Sequence, residues 1–407
     1  MLFALLAAAT LAAVDQAPFP SPPSIKGLQV QMADDAIALG IHHACININL
    51  TAVLDPQDPL RRFDEKYLAS LDDQIKPLSD AGVVVYVILL TYPSKDPARN
   101  RIAIHPKARS DQKYTIGAFN TATKEGRAWL EAVIGMLARR WSGKSARDHG
   151  RVWGWIVGNE INSHWTWNNL GSVPLNEVAS EYEKAHRIAH KAVRRASRHG
   201  RTYISLDHNW RIRAQGVGDN DAVPGRDFLD TFARLARARG DFDWNVAHHP
   251  YSEDLRNPRV WADASIDDTD DTVKVTFKNL PVLCRHLERP ELLFRGRPRR
   301  IILSEQGFHT LPQPDGEALQ AAAYAYAWEK TIRQPQVDAF VYHRHVDHAH
   351  EGGLLLGLWR NKPGSVADPA STKMIYELFK AAGTPAWDDA ARFALPVCGL
   401  RSWDELR

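Results

Sequence analysis

Val83-Val-Val-Tyr-Val-Ile-Leu-Leu90 is a nearly all-apolar run of the kind that a parallel sheet buries on both faces. Read outward toward the N-terminus, it is preceded by a helical stretch over 63–81. Before that comes Ile41-His-His-Ala-Cys-Ile-Asn-Ile48, rich in β-branched residues, then a helical stretch over 32–39 and a short extended segment over 25–30. Segments 25–30, 32–39 and 41–48 together outline one βαβ unit. Toward the C-terminus, 124–141 has the spacing of an amphipathic helix, 152–157 is a fourth strand, and a long helix spans 175–199. Strands over 202–206, 243–247, 300–303 and 338–342 complete the set. Helical stretches lie between them near 226–238, 272–286 and 316–333, and a last helix covers 371–382.

Eight strands alternating with eight helices outline an α/β chain closed into a (β/α)8 barrel, rather than an open doubly wound sheet. The connections support this. Segments that follow strands (91–123, 208–225, 252–271) are long, and segments that precede them (80–82, 198–201) are short. A barrel shows that asymmetry when its βα loops build a binding face and its αβ loops only turn the chain.

The chain has 407 residues, 24% of them charged and 44% hydrophobic, the balance of an ordinary folded protein. A net charge of +3 is too small to argue for nucleic acid. The basic residues of segments such as 190–198 read as the solvated face of a helix. Met1-Leu-Phe-Ala-Leu-Leu-Ala-Ala-Ala-Thr-Leu-Ala-Ala13 is shorter than the roughly 20 apolar residues of a membrane-spanning helix. It fits the apolar core of a secretory signal peptide, although no basic residue precedes it. The expected organisation is a leader and Pro-rich linker over 1–23 and one catalytic barrel with a C-terminal tail over 24–407, secreted or periplasmic. Cys45, Cys284 and Cys398 are odd in number and widely spaced, which gives neither a disulfide framework nor metal spacing.

Two glutamates end apolar strands: Glu160 in Val152-Trp-Gly-Trp-Ile-Val-Gly-Asn-Glu160 and Glu305 in Ile301-Ile-Leu-Ser-Glu305. Barrel strands point their C-terminal ends at one face, so the ends of the fourth and seventh strands converge across the mouth. A pair of facing carboxyls is the equipment of glycoside hydrolysis. Near them are His208 and Trp210 after the fifth strand and His249 in His248-His-Pro-Tyr251 after the sixth. Trp165 and Trp167 follow Glu160 and offer flat apolar faces to sugar rings.

Asn159-Glu160 ending the fourth strand, with Glu305 ending the seventh, resembles the clan A glycoside hydrolases, a (β/α)8 group of retaining enzymes, and within them barrels without an assigned substrate. The resemblance implies Glu160 as general acid/base, Glu305 as nucleophile, Asn159 on the sugar 2-hydroxyl and Tyr251 hydrogen-bonded to the nucleophile. It implies a carbohydrate substrate and no cofactor. The chain departs from the clan at the second strand, where Asn47 and Asn49 stand in place of an Arg. It departs again at the eighth, where Tyr342-His-Arg-His345 stands in place of a Trp; His343 then joins the sugar-binding candidates. Two other readings are open. The run from His343 to His350, with His343, His345 and Asp347, has the spacing of metal ligands and suits a metal-dependent hydrolase. A barrel that binds glycans without cleaving them would keep the same polar groups.

Overall fold

The computed structural model describes residues 14–55, 57, 63–110 and 116–406; the leader segment 1–13 lies outside them. Eight parallel strands close into a barrel: β1 (Lys26–Gln29), β2 (His43–Asn49), β3 (Val84–Leu90), β4 (Gly154–Val157), β5 (Arg201–Leu206), β6 (Trp244–His248), β7 (Ile301–Leu303) and β8 (Val337–Tyr342). β8 pairs with β1 through Gly27–Val341, which completes the ring. Each strand expected from the sequence is present within about two residues of its place, the normal uncertainty of element ends.

Helices pack around the ring, and the sequence dictates how they begin. Asp64 accepts a hydrogen bond from the Tyr67 N–H at 2.9 Å and Thr123 accepts one from the Gly126 N–H at 3.0 Å, each capping its helix. The main core lies between barrel and helices, and a second apolar cluster fills the barrel with Cys45, Tyr86, Ile156, Tyr203, Ala247 and Ile302. Gly154 explains itself here: a Cβ on it would lie 2.0 Å from the Tyr86 ring, so only glycine lets that ring fill the interior.

Two helical expectations need correction. Residues 272–276 are not helical. Thr272, Val273, Val275 and Thr276 lie along the loop after β5, where Val273 O accepts from Trp210 N and Val275 N donates to His208 O. Helix resumes only at Pro281–Leu287, with proline at the first turn. The helix expected over 371–382 is Met374–Ala381, with short helices at Trp387–Ala391 and Ala394–Val397 after it; the residues before it form a hairpin, β9 (Trp359–Asn361) and β10 (Pro369–Thr372). This hairpin is tied down by Asp35, whose carboxylate accepts from His345 Nε2 (2.8 Å), Trp359 Nε1 (3.1 Å) and Tyr376 Oη (2.8 Å).

The Pro-rich stretch 18–23, read above as a linker, is laid with residues 14–17 across the N-terminal floor of the barrel. Asp15 pairs its backbone with Ala196 and Arg198 and its carboxylate with Arg151. The Phe19 ring sits 3.8 Å from the Arg201 guanidinium and edge-on to Trp153. No helix among the described residues is long and apolar enough to cross a membrane.

Candidate active site

At the C-terminal mouth the chain leaves β4 through Gly158 (φ +80°) and Glu160 (φ +38°, ψ +58°). Glycine takes the left-handed region freely. For a glutamate it costs about 1–2 kcal/mol, a strain that persists only where the surroundings impose it. Here they do. Glu160 N donates to Ser205 Oγ at 2.9 Å, and Ser163 N closes a turn onto Glu160 O at 2.8 Å. The turn directs the Glu160 carboxyl into the mouth, where its side chain is 13% exposed.

Glu160 meets His249 from the end of β6: His249 Nδ1 lies 2.9 Å from Glu160 Oε1, and His249 Nε2 lies 3.1 Å from Ser304 Oγ. Glu305, two residues beyond β7, accepts from Tyr251 Oη at 3.2 Å. Ligand atoms of Glu160, His249 and Glu305 all fall within 4.8 Å of one another, so an oxygen of each glutamate is within that distance of the other. Burial is the largest influence on Glu160 and pushes its carboxyl up to about 7. His249 opposes that rise through its hydrogen bond and charge, while the charges of Asp207 and Glu305 add to it. Burial works against a charged His249, but the charges of Glu305, Glu160 and Asp207 prevail and raise it. Burial, then the Glu305 charge, holds the Tyr251 phenol well above its ordinary value, so it remains a donor.

The other expected residues divide. Asn159 directly follows Gly158 at the C-terminal end of β4 and is buried. His208 holds the Tyr251 carbonyl through Nδ1 at 3.1 Å. His249 was expected to touch sugar; its two nitrogens are instead engaged by Glu160 and Ser304. Asn47 accepts from Gln29 Nε2 at 3.3 Å, the other end of Gln29 meets His343 Nδ1, and His343 Nε2 lies 3.3 Å from Glu351. These groups make a polar belt from β2 across β1 to β8. Trp165 is half-buried with its indole N–H enclosed and unpaired among the described residues, and Trp167 packs against the interior cluster that includes Leu90 and Ile116.

Trp210 is a correction. It is turned away from the mouth, 2% exposed in the core and edge-on to His286 at 4.9 Å. The metal reading of the histidine run is also corrected, because its members diverge: His343 faces Gln29 and Glu351, His345 faces Asp35, and Asp347 pairs with Lys373 at 2.7 Å. Among the described residues, metal-competent donors converge only at Glu160, His249 and Glu305.

Sequence reading passed over Asp207, Tyr92 and Glu351. Asp207 directly follows β5 and Tyr92 lies two residues beyond β3, so both carried the strand-end signal. Tyr92 is 41% exposed, and the Glu305 charge helps raise its phenol, after burial. Glu351 stands in a glycine-containing loop with no such signal. Burial opposes its charge, yet His343 and Arg344 hold it down to about 2.

The sequence profile described as "Family of unknown function (DUF5722)" matches residues 18–406. The chain belongs to this family. No curated protein matches the sequence of this DUF5722 member. Its fold is similar to that of a family 39 glycoside hydrolase from the gut symbiont Bacteroides cellulosilyticus WH2, with a TM-score of 0.55 and 14% identity over 88% of this chain. The match spans only 60% of that enzyme's length. A hyperthermophilic β-glucosidase from Pyrococcus furiosus gives 0.56 and 13% over 89% of this chain and 85% of its own. A family 1 β-glucosidase from Thermotoga maritima gives 0.54 and 13% over 86% and 84%. The DUF5722 barrel therefore has the fold of clan A glycoside hydrolases; at such identities the likeness is one of fold.

Proposed function

We propose that this protein hydrolyses a glycosidic bond with retention of configuration, Glu305 acting as nucleophile and Glu160 as acid and then base. The observation that carries the reading is the pair of carboxylate oxygens within 4.8 Å across the barrel mouth. Carboxyls about 5 Å apart suit direct attack on the sugar, whereas inversion needs roughly 6.5–9.5 Å to admit a water. A Glu305 oxygen attacks the anomeric carbon while the bond to the leaving oxygen breaks and Glu160 protonates that oxygen. A glycosyl ester remains on Glu305. Its formation removes the Glu305 charge, one of the causes that raise Glu160. Glu160 then becomes a better carboxylate and takes a proton from the water that cleaves the ester. In this reading Asn159 binds the 2-hydroxyl, Tyr251 orients Glu305 through its hydrogen bond, and Trp165 and Trp167 offer ring faces to the glycan.

The test is covalent trapping. Incubation with a panel of 2-deoxy-2-fluoro glycosides bearing a good leaving group should add one sugar mass to Glu305, and Glu305→Gln should abolish the adduct. Labelling elsewhere, or near-normal turnover in Glu305→Gln or Glu160→Gln, would refute the assignment. Since Glu160, His249 and Glu305 also form a donor set for a metal, the assay is repeated with a chelator; loss of activity restored by zinc would favour a metal hydrolase. Glycan binding without cleavage would favour a lectin-like barrel. Export belongs to the same proposal and rests on the apolar sequence 1–13; N-terminal sequencing of protein recovered outside the cell tests it.

A further inference from the structure

Asp207 lies directly after β5, is 8% exposed, and sits under the turn that carries Glu160. Four donors surround its carboxylate: Asn162 Nδ2 at 2.5 Å, Ser163 Oγ, Asn209 N at 2.8 Å and Asn209 Nδ2 at 2.9 Å. Asn162 returns the contact, its Oδ1 accepting from Asp207 N at 3.0 Å, while Asn162 O accepts from Val223 N at 2.8 Å. Asn162 and Ser163 belong to the short 3-10 turn Ile161–Ser163 that Glu160 begins. The left-handed backbone of Glu160 is thus clamped by β5 on two sides, through Ser205 on its own N–H and through Asp207 on the next two polar side chains.

A carboxylate costs more to bury than a neutral amide, but only a carboxylate offers an acceptor to all four donors, two on each oxygen. We infer that Asp207 is a positioning residue for the acid/base: it fixes the strained turn that presents Glu160 and sets its carboxylate beneath that of Glu160. The inference rests on the proposed role of Glu160. Charged and titratable groups face this corner from every side. Glu160 is met by His249 from β6, Glu305 from β7 and Asp207 from β5; Asp207 is also felt by His208, His248 and Lys274. His249 pulls Glu160 toward the carboxylate, so Asp207 and Glu305 are the charges that oppose it.

Charge and tether separate by comparing two variants. In Asp207→Asn the charge goes together with the acceptor on one oxygen, and the basic limb of the kcat/KM profile on an activated aryl glycoside should move down by about one pH unit. In Asn162→Ala with Ser163→Ala the charge stays; the limb should keep its position while kcat falls about tenfold or more with KM little changed. A readout independent of turnover is the Glu160 carboxyl resonance in protein labelled with 13C-glutamate, which should titrate at lower pH in Asp207→Asn. It also decides the matter where a variant is too slow to assay, and melting curves establish that each is folded. An unshifted limb and resonance in folded Asp207→Asn would overturn the inference while leaving the glycosidase reading intact. A wild type inactive on every glycoside would refute that reading instead, and the resonance would still report whether Asp207 sets the Glu160 titration.

Discussion

Replacing Glu160 by glutamine should stabilise this protein at alkaline pH and leave it nearly unchanged at acid pH. The carboxyl rises from 4.5 to about 7 on folding, chiefly through burial. The folded state therefore prefers the protonated form. The contribution of this group to stability is full below the unfolded value near 4.5, is lost as pH rises through about 7, and stays lost above. Each pKa unit is worth about 1.4 kcal/mol, so the penalty for ionised Glu160 has a ceiling of about 3 kcal/mol. Glutamine keeps the shape without the charge, and the pull of His249 is already contained in that rise, so the expected gain approaches the ceiling of about 3 kcal/mol. Urea unfolding of wild type and Glu160→Gln at pH 4.5 and pH 8.5 measures it. The midpoints should coincide at the lower pH and separate at the higher, with the variant more stable. Equal offsets at both pH values would refute the argument, because they would mean that burial does not disfavour the charge. The experiment needs no substrate.

Tyr251→Phe removes the one donor on Glu305 Oε1 among the described residues; a hydrogen bond to a charged group is worth about 1.5–3 kcal/mol, so kcat should fall about 10- to 100-fold without loss of fold, as steady-state kinetics and melting would show. Phe19→Ala opens the floor where Arg201 and Trp153 grip the ring, and should cost about 2 kcal/mol in a denaturant titration while the specific activity of the folded fraction stays unchanged. Asp35→Ala leaves His345, Trp359 and Tyr376 without their shared acceptor, and should cost about 3 kcal/mol and expose the hairpin to proteolysis. The Asp35 carboxyl is lowered on folding, its hydrogen bonds outweighing burial, so this stability is present above the ordinary value of 3.8 and is lost as pH falls below it. The gap between Asp35→Ala and wild type should therefore close in acid.

The barrel was legible because buried parallel strands are written as apolar runs, and 84–90, buried along its whole length, is the clearest of them. That Glu160 and Glu305 face each other followed from topology, since strand ends four and seven meet only in a closed ring. Legibility ended where the chain leaves regular structure. Beyond Leu206 the two-residue alternation no longer says which way a side chain points. Thus Asp207 was missed and Trp210 was placed on the wrong side, its backbone N–H being drawn to Val273 O. The segment 272–286 has helical composition over part of its length, but Pro281 fits only a first turn, and the β-branched residues before it pair with the β5 loop. The β9–β10 hairpin escaped notice because 352–372 carries glycine and proline without periodic apolar residues. Histidines 343, 345 and 348 look alike in sequence, and only their separate partners distinguish them.

The strap across the floor has a directional consequence. Val14 leaves from the face opposite Glu160 and Glu305, because Asp15 is fastened to the end of the helix before β5 and Phe19 is wedged beneath the ring. Anything joined ahead of Val14, whether an anchor, a tag or a resin, pulls on the closed end of the barrel. A molecule tethered there would present its open end outward, toward polymers too large to diffuse around it.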